Sequence, residues 1–271
     1  MTPPATGGAS PSPDPRAFGA VLAAVFAVAV TATLAQHASM AAMGGEPMAG
    51  GWIASAAWLR PCGRDIGRAF AAFAGMWGAM TPAMMLPVLA PTLWRYRQRI
   101  GPMATVRSAW LVVVAGAGYF AVWMALGALV FPAGAALTAA AARLPALARA
   151  LPFAAGAIVS AAGMLQFSAW KARRLACCRH AAGDVRGARA VAGAAWRHGV
   201  RAAVHCSACC GNLMAIALAA GMMDLRVMAA VMVAIAAERV APSDGRVART
   251  AAGCVALGGG VAMIVRAAGL L

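Results

Sequence analysis

Residues 201–224 read R-A-A-V-H-C-S-A-C-C-G-N-L-M-A-I-A-L-A-A-G-M-M-D. The stretch is apolar and, as a helix, long enough to cross a bilayer, which takes about 20 residues. Cys206, Cys209 and Cys210 stand at i, i+3 and i+4, so a helix projects their thiols from one face. Two further soft ligands lie beside them: His205 and Met214. Three thiols grouped in a membrane helix favour binding of a soft metal ion over simple packing.

The composition extends this interpretation to the whole chain of 271 residues. Hydrophobic residues make up 63% and the mean hydropathy is +0.77, whereas soluble domains have about 45–50% apolar residues. Ala, Gly and Val carry most of the apolar character, and such small side chains let helices pack closely in lipid. We therefore expect an all-α, polytopic transmembrane helix bundle rather than a β-barrel, whose strands would alternate in polarity.

Apolar runs of suitable length predict seven membrane spans, with six as the main alternative because the sixth run is short. The runs are 17–36, 69–91, 108–131, 152–170, 202–222, 225–240 and 250–268. Residues 1–16 are rich in Pro, Gly and Ser and are predicted to be a disordered tail. Residues 17–271 are predicted to form a single transmembrane domain.

The net charge of +16 has its nearest explanation in membrane topology rather than in nucleic-acid binding. With the N-terminus in the cytoplasm, most of the 23 basic residues fall in inside loops, as the positive-inside rule requires. The first run is longer than a signal-peptide core and follows a single basic residue, so we expect it to be retained.

In this orientation, soft ligands from several helix ends meet at the cytoplasmic side. The fourth span leaves there through K-A-R-R-L-A-C-C-R-H, and the second ends there after a stripe of methionines. Thiolate and thioether ligands select Cu(I), with Zn²⁺ as the alternative on the Cys and His subset. The predicted metal ligands are Cys206, Cys209, Cys210, His205, Met214, Cys177, Cys178, His180, Met80, Met84 and Met85.

A second group of soft ligands follows the first span and would face the periplasm. It comprises His37, Met40, Met43 and Met48, with Glu46 among them. Thioether and imidazole ligands can capture copper in an oxidising compartment where thiols would not survive. The alternative is a flexible loop that merely contains these residues.

Few polar residues lie within the spans. Gln166 and Asn212 are expected to hydrogen-bond across helices, and Glu238 to pair with Arg239 or a neighbouring arginine. The sequence has no G-x-x-x-x-G-K-[ST] loop, so this chain does not itself drive transport with ATP. It also lacks H-E-x-x-H and G-x-S-x-G, and we expect no catalytic residues and no enzymatic activity.

Three segments resemble a bacterial family of predicted metal-binding integral membrane proteins, domain of unknown function 2182. They are M-W-G-A-M-T-P-A-M-M-L-P, A-G-M-L-Q-F-S-A-W-K-A-R-R-L-A-C-C-R-H and C-S-A-C-C-G-N-L-M with the following G-M-M-D-L-R-V-M and E-R-V-A-P. The resemblance covers residues 70–250 and implies a metal-binding role in the bacterial inner membrane. It implies functional positions at Met80, Met84, Met85, Gln166, Lys171, Cys178, Cys206, Cys209, Cys210, Met214 and Glu238. The chain departs from the family pattern at Leu165, Ala208 and Arg239.

These observations favour a membrane protein that handles Cu(I) as a transporter, carrier or delivery factor. Its expected partners are the lipid bilayer, the metal ion, and a metallochaperone or a membrane oxidase assembly partner, with no nucleic acid. One alternative is a membrane thiol-redox protein that uses Cys206 and Cys209 as a C-x-x-C pair. The other is a structural bundle in which the cysteines only pack.

Overall fold

A computed structural model describes residues 15–43, 46–47, 53–54, 66–100, 105–181, 191–221, 224–241 and 245–269. These residues form eight α-helices and one antiparallel pair of two-residue strands, which confirms the all-α prediction. The elements are α1 (Pro15–Met43), β1 (Glu46–Pro47), β2 (Ile53–Ala54), α2 (Ile66–Arg99), α3 (Thr105–Arg143), α4 (Pro145–Gln166), α5 (Ala169–Ala181), α6 (Ala192–Gly221), α7 (Leu225–Val240) and α8 (Arg246–Ala267).

Six of the described helices are long and apolar enough to cross a membrane: α1, α2, α3, α4, α6 and α8. This number agrees with the alternative count from the sequence. The remaining predicted span, α7, has 16 residues, or about 24 Å at 1.5 Å per residue, against a hydrocarbon core of about 30 Å. The predicted run 152–170 is divided between α4 and the separate helix α5.

The first helix is longer than the sequence pattern predicts. It continues to Met43, so His37, Met40 and Met43 belong to a helix and not to a flexible loop. Residues 1–14, which contain most of the predicted tail, lie outside the described residues.

Glycines bring two pairs of helices into close contact. On α4 and α8, a Cβ at Gly156 would stand 2.9 Å from the Gly260 carbonyl oxygen, and one at Gly260 would stand 2.8 Å from the Gly156 oxygen. On α6, a Cβ at Gly199 would lie 1.9 Å from the Ala115 oxygen of α3. These backbones touch because the glycines carry no side chain, as is common where membrane helices pack.

The α7 helix returns the chain alongside α6. Its first turn is capped by Asp224, whose carboxylate accepts hydrogen bonds from the backbone N–H groups of Arg226 at 2.8 Å and Val227 at 3.4 Å. The last turn of α7 then reaches the level of the α6 cysteines, where α5 packs against both helices. This arrangement places three helices around the thiols.

Candidate metal centre

The α6 helix carries three cysteines, all buried. Cys206, Cys209 and Cys210 are each 1% exposed. The Cys206 and Cys210 sulfurs lie 3.8 Å apart, and those of Cys209 and Cys210 lie 3.4 Å apart. The helical spacing therefore brings the three thiols into a contiguous group inside the protein, as the sequence predicts.

The α5 helix adds a fourth sulfur. Lys171, Leu175 and Cys178 stand at i, i+4 and i+7, and all three are buried on one face of α5. The guanidinium of Arg239 on α7 donates from Nη1 to the Cys178 sulfur, and the same nitrogen lies 4.0 Å from the Cys209 sulfur. Arg239 thus links the cysteine of α5 to the thiols of α6. We call Cys178, Cys206, Cys209 and Cys210 the sulfur cluster.

A tyrosine from α3 contacts the other end of this cluster. The buried Tyr119 hydroxyl donates a hydrogen bond of 3.1 Å to the Cys206 sulfur. Hydroxyl and guanidinium donors favour negative charge on the sulfur that accepts from them. The sulfur cluster therefore has a donor at each end, Tyr119 at Cys206 and Arg239 at Cys178.

A buried ion pair lies next to the cluster. Lys171 Nζ is 2.9 Å from Glu238 Oε2, and the two side chains are 0% and 1% exposed. Gln166 Nε2 donates to Glu238 Oε1 at 2.7 Å, and Lys171 also donates to Asn212 Oδ1 at 3.0 Å and to the Cys209 carbonyl oxygen. Burial raises the pKa of the Glu238 carboxyl, and the Lys171 ammonium opposes that shift. This network ties α4, α5, α6 and α7 together beside Cys209.

A family model for PpoB2, described as a copper chaperone, matches residues 74–263. The chain belongs to this family. The matched region begins within α2 and includes the whole sulfur cluster and the buried ion pair. No curated protein and no solved structure matches the chain.

Membership of the PpoB2 family supports the metal-related part of the resemblance seen in the sequence, and with it a role connected with copper. The designation as domain of unknown function 2182 stays a prediction. So do the individual ligands, because the family description names no residues.

The structure places the other predicted ligands in different surroundings. Met214 is buried one turn beyond Cys210, and Met80, Met84 and Met85 are buried on α2. Cys177 is exposed, and His205 and His37 are half-buried. The side chains of His180, Met40, Met43 and Met48 lie outside the described residues. In the described part of the chain, no three His, Cys, Asp or Glu side chains stand ready-placed around one metal ion.

Two polar predictions are confirmed and one is wrong. Gln166 and Asn212 do bond across helices, the latter through its Nδ2 to the Ala162 carbonyl oxygen at 3.3 Å. Glu238 pairs with Lys171 instead of an arginine, because the α5 face that carries Lys171 docks against α7. The adjacent Arg239 faces the sulfurs instead.

Sequence reasoning missed Arg239 and Tyr119 as partners of the sulfurs. Because Arg239 follows Glu238 in the sequence, the two were expected to pair with each other. Nothing in the sequence indicates that the Arg239 side chain points towards Cys178. Tyr119 is one of two tyrosines in the chain, and an isolated tyrosine in an apolar helix could have been examined as a hydrogen-bond donor. The second, Tyr96, stacks on His198 with ring centroids 4.7 Å apart.

Proposed function

We propose that this chain is a membrane copper carrier that receives Cu(I) on the sulfur cluster and delivers it to a partner protein. The observation that carries the proposal is the convergence of four buried cysteine sulfurs from α5 and α6 at one place. Membership of a family described as copper chaperones supports copper as the cargo. The chain acts in this proposal as a carrier and not as an enzyme.

The spacing of the sulfurs suits a shared soft ion after small movements. Metal–sulfur bonds of ~2.3 Å at tetrahedral or trigonal angles put two sulfurs ~3.8–4.0 Å apart. The Cys206 and Cys210 sulfurs lie at 3.8 Å, and the closer pair at 3.4 Å needs a small rotation of a side chain. Buried thiolates favour Cu(I) over harder ions. Zn²⁺ is the alternative cargo, and would require more ligands around one ion.

The rest of the delivery route belongs to the same proposal. The chain would lie in the bacterial inner membrane with its N-terminus in the cytoplasm, so that the sulfur cluster is loaded from the reducing side. A metallochaperone would supply the ion, or a membrane oxidase assembly partner would accept it. His37, Met40, Met43 and Met48 would capture copper at the periplasmic side.

The decisive measurement is the metal content of detergent-purified protein after anaerobic loading with Cu(I), determined by mass spectrometry. The wild-type chain should retain copper in stoichiometric amount, and a Cys206→Ser, Cys209→Ser, Cys210→Ser variant should lose most of it. A Cys177→Ser, Cys254→Ser variant is the matched control, because both cysteines are exposed. Equal copper in the wild type and the triple variant would refute the proposal, as would a wild type that binds none.

The same preparation separates copper carriage from thiol-redox chemistry. A redox protein would show reversible oxidation of a cysteine pair, detected by alkylation before and after reduction, and little retained copper. A carrier should show reduced thiols that become protected from alkylation when Cu(I) is bound.

A further inference from the structure

The side chain of Arg239 has an unusual environment for a guanidinium. Nη1 contacts the Cys178 sulfur and lies 4.0 Å from the Cys209 sulfur. Within the described ranges, no carboxylate lies within salt-bridge distance of Arg239. The nearby Lys171 is already neutralised by Glu238 at 2.9 Å. The positive charge of Arg239 is therefore directed at sulfur and is not balanced by a carboxylate in this part of the structure.

This uncompensated charge complements the charge of a thiolate–copper complex. Cu(I) held by two thiolates carries a net charge of −1, and by three thiolates −2. Burying such an anion is costly unless a positive group accompanies it. A guanidinium is well suited to this task, because it stays protonated and is more weakly hydrated than an ammonium.

We infer that Arg239 is the counter-charge that allows the sulfur cluster to hold Cu(I) as an anionic thiolate complex. The inference rests on the proposed function and adds to it a residue that sets the affinity without binding the metal. Arg239 acts through Cys178 and Cys209 and is a positioning residue. The guanidinium and the complex with two thiolates together have no net charge, so the loaded centre can be buried.

A structural role for Arg239 is the competing explanation, and a neighbouring arginine allows the two to be separated. Arg179 Nη2 on α5 donates to the carbonyl oxygens of Glu238 and of Ala241, the latter at 3.0 Å. Arg179 therefore joins α5 to the end of α7 through backbone groups, whereas Arg239 joins the two helices through a sulfur. Replacing either arginine by glutamine removes one positive charge and one link between α5 and α7.

The experiment compares Cu(I) affinity in detergent by competition with a chromophoric Cu(I) chelator under reducing conditions. Arg239→Gln should lower the affinity about 30-fold, because a charge some 4 Å from the complex is removed in a region of low dielectric. Arg239→Lys should retain affinity within about threefold, because it preserves the charge. Arg179→Gln should stay within about threefold of the wild type, because it does not contact sulfur.

A double-mutant cycle with Cys178→Ser tests whether the effect passes through sulfur. The loss caused by Arg239→Gln should shrink in the Cys178→Ser background, because part of the negative charge is gone. Gel filtration establishes that each variant is folded, and Arg239→Met, which keeps the apolar stem, replaces Arg239→Gln if the latter does not fold.

The outcomes distinguish this inference from the proposed function. Wild-type affinity in Arg239→Gln, or an Arg239→Lys variant as weak as Arg239→Gln, would overturn the role of counter-charge while leaving copper binding intact. A loss in Arg179→Gln equal to that in Arg239→Gln would assign both arginines to helix packing and overturn it too. A wild-type chain that binds no Cu(I) would remove the proposed function itself.

Discussion

Replacing Lys171 by methionine would break the buried ion pair and leave Glu238 as a carboxylate without its cation. Both side chains are almost completely excluded from solvent, at 0% and 1% exposure, and their charged atoms lie 2.9 Å apart. Removing one partner of a buried pair typically costs about 3–5 kcal/mol, because the remaining charge is stranded. That range corresponds to a roughly 150- to 5,000-fold loss in the ratio of folded to unfolded protein.

The cost should partly disappear when the second charge is removed as well. In a Lys171→Met, Glu238→Gln variant no charge is stranded, and Gln166 still has an oxygen to which its Nε2 can donate. The hydrogen bonds that Lys171 donates to Asn212 and to the Cys209 carbonyl oxygen are lost in both variants, which leaves a deficit of about 2 kcal/mol. The double variant should therefore be more stable than the single one by about 1–3 kcal/mol.

Reversible unfolding in mixed micelles, followed by circular dichroism, measures these differences. The deficit of Lys171→Met should also depend on pH. Burial raises the pKa of Glu238 in the folded state, so the deficit is fully present above that raised value and shrinks as the pH falls and the carboxyl becomes protonated. Equal losses in the single and double variants, or a deficit that does not change with pH, would refute the stranded-charge argument.

Two further predictions concern the packing and the hydrogen bonds around the sulfur cluster. Gly199→Leu should prevent α3 and α6 from approaching and severely reduce the yield of folded protein, because even a Cβ would lie 1.9 Å from the Ala115 oxygen. The control, Gly258→Leu, lies where nothing is within 4 Å and should fold normally. Detergent gel filtration compares the two, and equal behaviour of both variants would contradict the packing argument. Tyr119→Phe removes the hydroxyl that donates to Cys206 and should cost about 1 kcal/mol of stability in the micelle assay, while unchanged stability would show that this hydrogen bond contributes nothing.

The helices could be predicted from the sequence because bilayer-length apolar runs are a strong signal. Their ends were less predictable, as α1 shows: it continues to Met43 because Ala and Met after residue 36 sustain a helix without a strongly apolar pattern. The separation of α5 from α4 also escaped prediction. The chain leaves the helix for two residues at Phe167 and Ser168, and no Pro or Gly marks this break.

The grouping of the α6 thiols could be predicted because spacing within one helix decides it. Cys206, Cys209 and Cys210 lie on one face of α6 because positions i, i+3 and i+4 do so in any helix. That this face is buried is seen only in the structure. Contacts between helices depend on rotation and register, which the sequence does not state. For this reason the partner of Glu238 was assigned wrongly. Residue spacing alone also left Cys177 and Cys178 equivalent, and only the family resemblance pointed to Cys178, which is the buried one.

Cys177 and Cys178 point about 100° apart around α5, so that Cys177 is exposed while Cys178 is only 3% exposed. A thiol reagent can therefore reach the Cys177 sulfur when α5 is docked, whereas the neighbouring Cys178 sulfur is shielded from it. Cys177 therefore serves as an internal reference for the labelling of Cys178 in the same molecule. Any event that separates α5 from α6, including the binding of a partner protein, would change the ratio of Cys178 labelling to Cys177 labelling.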